Sequence, residues 1–423
     1  MFKQRIGSHN YIYKSNEFIN HICIIALSGL IVFTPLYGLK KIAILLGSFV
    51  MWYLSTLTID IQWVRRKQKA LLYLLIFLLL DVFYSLSTGS TEPLHYYLVQ
   101  KLFVYIWIFI FLFYIEHKNM LHIPITAILL MIAISCILTI RGNLLYPGAS
   151  RRLASGGELA NFYHKMYIAG YDIIYGMVFL VMPITLGIKK RVLRVIPASL
   201  LLIEMMVTLV IGSYAISILF TVGMLICALA GQKNKVKFFV ITMGLTVLVL
   251  VFRIELLDAL INIGIRINSY MLVRRATQLR DMTYFSDYGM NNYNRFALYL
   301  NGIMNFIRYP LVGRMGGYHN DILYAGHSGL INYFDVYGIF GAIYVGYWLY
   351  SYKSIKYAFE EKENVDYYKL FFMFVWAFLI LETIDIAPAT ALVINFLAPA
   401  IFVFVEDSDN EINNNMQIKV VAK

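Results

Sequence analysis

The stretch from residue 253 to residue 334 holds Arg253, Arg266, Arg274, Arg275, Arg280, Arg295, Arg308 and Arg314, and no lysine. A second stretch, 141–166, adds Arg141, Arg151 and Arg152 with one lysine, Lys165. A guanidinium grips phosphate through two parallel N–H bonds, whereas a lysine ammonium acts as a point charge. Eight arginines in the longer stretch face only five acids, Glu255, Asp258, Asp281, Asp287 and Asp321, so ion pairs within it leave cations over. The chemistry that suits this pattern is binding of phosphate or pyrophosphate. Lipid headgroups are the plainer ligand for the same cations.

Histidine is the second signal. His319 lies in Gly313-Arg-Met-Gly-Gly-Tyr-His-Asn and His327 in Ala325-Gly-His-Ser-Gly-Leu-Ile-Asn. Either can give or take a proton near neutral pH, although a lone histidine more often serves as a structural hydrogen-bonder. The sequence has no HExxH, no His/Cys ligand spacing and no cluster of three acids, so no metal site is expected. Walker A and GxGxxG patterns are missing as well, which leaves no nucleotide cofactor to expect and excludes ATP-driven transport by this chain.

These residues must be positioned by elements of an unusual composition. The 423 residues are 60% hydrophobic and only 14% charged, against about 25% charged in an average soluble domain. Mean hydropathy is +0.69. A soluble enzyme, a secreted disulfide scaffold and a disordered tail are excluded by these figures. Apolar runs of about 20 residues, the length of a membrane crossing, predict an all-α polytopic protein of about 12 spans. The runs are 18–38, 42–59, 70–87, 97–115, 121–140, 167–188, 195–211, 214–231, 238–252, 335–352, 370–388 and 391–405. A single membrane domain (1–423) results, with spans over 18–405 and a polar tail, 406–423. The apolar run after the basic N-terminus reads as a first span and not as a cleaved signal.

Lysines and arginines set the orientation. With both termini cytoplasmic, the inner segments collect sixteen lysines and five arginines, among them Arg65, Arg66, Lys67, Lys189, Lys190 and Arg191. The net charge of +12 is then explained by topology and anionic lipid, without nucleic acid. The stretches 141–166 and 253–334 fall outside the membrane; Arg253–Leu272 and Asn294–Ile307 read as amphipathic helices lying along its surface. Cys23, Cys136 and Cys227 all lie in apolar runs and predict no disulfide. Ionisable residues inside spans, Asp81, Lys101, Asp172, Glu204, Glu382 and Asp385, are functional candidates because such groups are costly there. An Asp81–Lys101 ion pair is the modest reading of the first two.

The run Gly326-His327-Ser328-Gly-Leu-Ile-Asn-Tyr-Phe-Asp335-Val-Tyr-Gly338-Ile-Phe-Gly341 resembles a signature of the O-antigen ligase and Wzy-type polymerase superfamily. That signature is close to His-Asn-x-x-Leu-x-x-x-x-Glu-x-Gly-x-x-Gly; here Ser328 stands for the Asn and Asp335 for the Glu. Tyr309-Pro310-Leu-Val-Gly313 resembles the family's Pro-x-x-Gly-x-Gly stretch. Arg152-Leu-Ala-Ser-Gly156 with Asn161 resembles its Arg-rich stretch, without the usual Asn-Pro.

What the resemblance implies is a GT-C-like, metal-independent glycosyltransferase of the bacterial cytoplasmic membrane. Its substrates would be oligosaccharide repeat units on undecaprenyl pyrophosphate, joined at the outer face into O-antigen or capsule. A chain-length regulator and a flippase of the same pathway would be its protein partners. On this expectation Arg151, Arg152, Arg274, Arg275, Arg280, Arg295 and Arg314 contact pyrophosphate or glycan. His327 polarises the leaving phosphate or activates the acceptor, His319 is its alternate, and Asp335 orients His327. A ligase acting on lipid A-core, a lipid-linked oligosaccharide flippase, an envelope scaffold and an ion-coupled transporter are the competing readings. The single long outer stretch and the lack of two related halves argue against transport.

Overall fold

The computed structural model describes residues 18–29, 38–59, 121–153, 157–190, 193–212, 221–226, 235–281, 295–316 and 329–343, with isolated positions between 72 and 87 and at 228, 346, 401 and 405. The described residues are mostly helical and include no strand, which is the fold class the apolar periodicity predicts. In chain order the helices are α1 (Gly38–Ile59), α2 (His122–Leu145), α3 (Ala149–Arg152), α4 (Gly157–Lys165), α5 (Tyr171–Lys190) and α6 (Val195–Ile211). They continue with α7 (Lys235–Val251), α8 (Arg253–Arg266), α9 (Tyr270–Arg280), α10 (Arg295–Arg308) and α11 (Gly329–Tyr337). Two 3₁₀ turns, Gly313–Gly316 and Gly338–Gly341, flank α11.

Among the described residues α2 alone is long and apolar enough to cross a membrane. Its 24 residues extend about 36 Å at 1.5 Å per residue. Shorter apolar helical lengths run over Phe18–Gly29, Ala43–Ser55, Gly176–Lys189 and Val195–Ile211. Helix α6 packs on both α2 and α5, and the Cys136 thiol sits 3.7 Å from the Met177 sulfur to join α2 to α5. Helix α5 is apolar on all its faces, and Met177, Val178, Phe179, Leu180, Val181, Met182 and Ile184 are all buried. A helix with no polar stripe has to be surrounded, which makes α5 the centre of this group. By contrast, α7 turns Val236, Val240, Met243, Val247 and Leu250 outward, and α1 does the same with Ile44, Val50, Met51 and Leu54.

The outer stretches fold into short helices. Where the amphipathic period predicts one helix over 253–272, the chain makes two, α8 and α9, folded against each other as a hairpin. The break is a Schellman cap: the Ser269 N–H donates to the Gly264 carbonyl at 2.8 Å and the Asn268 N–H to that of Ile265 at 3.1 Å. Asn268 takes φ +53° to make this turn, a left-handed conformation that asparagine tolerates better than most residues. Gly264 lets the helices close, since a Cβ there would stand 2.8 Å from Val273 Cγ2. The tenth predicted span also differs from the structure: α11 stops at Tyr337 and Gly338 turns the chain at φ +58°.

Candidate functional site

Two features bring the candidate residues together. The first joins the two family-like glycine motifs. Gly313 (φ +54°) and Gly338 (φ +58°) sit back to back. A Cβ on Gly338 would lie 2.6 Å from the Leu311 carbonyl carbon and 2.7 Å from the Gly313 nitrogen. One on Gly313 would lie 2.6 Å from the Gly338 nitrogen. Only glycine fits either position, because the backbones touch and both φ values are left-handed. The Ile339 N–H donates to the Pro310 carbonyl at 2.8 Å across this crossing, and the rings of Phe306 and Phe334 meet edge to face 5.3 Å apart, joining α10 to α11.

Arg314 and Asp335 close the same crossing. Arg314 donates from Nε to Oδ1 at 2.9 Å and from Nη2 to Oδ2 at 2.8 Å. The Asp335 side chain is fully buried and that of Arg314 is 12% exposed. This is the bidentate geometry that guanidinium and carboxylate favour. Both oxygens of the expected acid are therefore engaged by one of the expected phosphate ligands.

The second feature is a cavity of about 650 Å³ between the two outer stretches. Tyr146, Arg152 and Tyr163 line it from one stretch; Asn268, Ser269 and Tyr270, at the tip of the α8–α9 hairpin, line it from the other. Arg152 Nη1 donates to the Tyr163 hydroxyl at 3.4 Å. Below them lies a buried polar brace: the Asn143 amide donates to the Thr139 carbonyl at 3.0 Å and to Ser150 Oγ at 2.6 Å, and accepts from the Ser150 N–H at 3.2 Å. Thr139 Oγ1 accepts from the Ala169 N–H at 2.8 Å, fixing the entry to α5. Ala149, Leu153, Tyr163 and Ile168 make a small apolar core around it. Tyr167 takes φ +62° to end α4 in a second Schellman turn, with its N–H on the His164 carbonyl at 3.0 Å.

Of the arginines predicted for phosphate or glycan, Arg152 lines the cavity. Arg274 is exposed on α9, one turn from Tyr270 and on its face, while Arg275 is half-buried. Arg280 is held by acids, Asp281 at 2.7 Å and Asp258 at 2.9 Å. The hydrogen bonds from Asp281 and then Asp258 raise the Arg280 pKa, and the Arg280 guanidinium lowers that of Asp281. Arg151 lies in α3 and Arg295 opens α10. His319 and His327 lie outside the described residues, as do Asp81, Lys101, Glu382 and Asp385. Sequence reasoning did not single out Tyr146, Tyr163, Asn268 or Tyr270. Pro147-Gly148, a turn dipeptide, and Asn268, between two helical runs, are the signals that mark these corners.

With the geometry set out, comparison with known proteins adds no relative: no family model matches the chain, and no curated protein or solved structure is detectably similar.

Proposed function

We propose that this chain is a membrane glycosyltransferase that polymerises polyprenyl-pyrophosphate-linked oligosaccharide repeat units at the outer face of the bacterial cytoplasmic membrane. The reading includes the full set of about twelve spans with both termini cytoplasmic. The outward apolar faces of α1 and α7 suit a lipid surround. The observation that carries the reading is the cavity, where an arginine of 141–166 meets the hairpin of the long arginine-rich stretch. Its size falls in the range of small-ligand sites, and the resemblance in the glycine and histidine motifs points to the same reaction.

In that reaction the bond from the donor sugar's anomeric carbon to pyrophosphate breaks, and its electron pair leaves on the phosphate oxygen. The acceptor hydroxyl forms the new bond to the same carbon and gives up its proton. Arginines near the leaving group stabilise its growing charge, the kind of term that dominates many enzymatic rate gains. His327 takes the acceptor proton or supports the departing phosphate, with His319 as its alternate. Asp335, committed to Arg314, serves to position the start of α11 and not to touch substrate.

The test is reaction of the purified full-length protein with the lipid-linked repeat unit of its own organism, read as a glycan ladder. A ladder supports the polymerase. Labelling of lipid A-core without a ladder moves the reading to a ligase, and neither product, with folded protein, overturns glycosyl transfer.

A further inference from the structure

We infer that the cavity at the α8–α9 hairpin is a subsite for an acidic sugar of the glycan, one pyranose ring bearing a carboxylate. This deepens the proposed function and rests on it only for the parent molecule, not for the binding itself.

The lining chooses the ligand. Among the described residues that line the cavity, Arg152 is the only charged one. A pyrophosphate carries two or three negative charges and is met by several cations, whereas one guanidinium matches one carboxylate in charge and in its two-pronged shape. Tyr270 is 72% exposed and Tyr146 38% exposed, while both line the space. Rigid aromatic rings with a polar tip suit the apolar C–H face and rim hydroxyls of a sugar. The Asn268 amide offers two donors and an acceptor for those hydroxyls.

The walls are fixed before anything binds. Asn268 and Ser269 are locked by the Schellman turn, Asn268 at φ +53°. A residue held in a sparsely populated conformation often marks a ligand clamp. Opposite them, the Asn143–Ser150 brace holds α3, and with it Arg152. Preorganised groups of this kind lose little ordering free energy on binding. Arg152 then belongs to the glycan. Arg274, one turn beyond Tyr270, and Arg275 remain for the pyrophosphate.

Saturation-transfer NMR on the full-length protein in detergent micelles tests this with three probes: glucuronate, glucose and inorganic pyrophosphate. Glucuronate ring protons should receive saturation, with glucose binding about tenfold weaker for want of a charge-assisted bond. The glucuronate signal should be lost in R152Q and in Y270A. Both side chains are exposed, so the melting temperatures should stay at the wild-type value. Equal binding of glucose, a glucuronate signal unchanged in either variant, displacement by pyrophosphate at lower concentration, or no glucuronate signal at all would each overturn the subsite. A glycan ladder without glucuronate binding keeps the polymerase and removes the subsite; glucuronate binding without a ladder does the reverse.

Discussion

Arg314 holds both oxygens of Asp335, at 2.9 and 2.8 Å, in a pair with a fully buried carboxylate. Removing one partner strands the other charge away from water. Asp335→Ala and Arg314→Met should therefore each cost about 3–5 kcal/mol, whereas the joint apolar replacement Arg314→Met/Asp335→Leu should recover most of that loss. Denaturant unfolding of the three variants in detergent decides it. Single variants as stable as the parent would mean that the pair contributes nothing.

Two glycines should respond in opposite directions to alanine. At Gly338 the new methyl meets backbone at 2.6 Å in a left-handed conformation, so Gly338→Ala should lose more than about 1–2 kcal/mol, the conformational term alone. Gly47, in the middle of α1, has nothing within 4 Å of a built Cβ. Gly47→Ala should gain about 0.5–1 kcal/mol from reduced chain entropy. Thermal unfolding of both variants side by side makes the comparison.

The brace under the cavity is the next target. Asn143 is 3% exposed and makes three hydrogen bonds. Asn143→Ala leaves Ser150 without its partner and should cost about 1–3 kcal/mol. Hydrogen exchange should quicken over residues 146–153 more than in α6; a uniform change would count against a local brace.

Acidification should loosen the α8–α9 hairpin. Arg280 lowers the Asp281 pKa below its ordinary 3.8, so the pair's support is complete above that pH. It is lost as pH falls through the depressed folded value, because the unfolded chain then takes up the proton first. Amide exchange in α9 at descending pH below 4 should rise in the parent and change less in Asp281→Asn. The pair is exposed to solvent, so added salt should shrink the difference.

Catalytic variants follow from the proposed reaction. His327→Ala should abolish polymer while the protein still reaches the membrane. Arg152→Lys keeps the charge but loses the fork, so its ladder should shorten about as far as that of Arg152→Gln. Long chains from His327→Ala, or a normal ladder from the lysine variant, would contradict those two roles.

Much of the fold was legible where apolar runs end at charged residues. The run 195–211 and α6, Val195–Ile211, coincide because Arg194 and Gly212 bracket it. Helix α2 overruns its predicted end at 140 because Arg141, Gly142 and Asn143 read as polar loop. In the structure the Asn143 amide is bonded internally, and Gly142 gives Ile168 room. The α8–α9 break stayed hidden because the amphipathic period continues through Asn268, and the deciding feature is one residue's φ. The cavity needs Tyr146 and Tyr270 to meet from distant parts of the chain, which no local pattern encodes. The pairing of Arg314 with Asp335 was equally out of reach, since each was read alone as a reactive group.

The crossing of Gly313 with Gly338 makes the intervening chain a cassette. Its ends are pinned by backbone contact and by a buried ion pair, independent of what lies between them. Closing a longer loop on fixed ends costs little, about 0.6 kcal/mol for each doubling of length. The sequence between the pins, which carries His319 and His327, is therefore free to be lengthened, shortened or exchanged without rebuilding α10 or α11. Divergence in chemistry at this position need not be accompanied by divergence in scaffold.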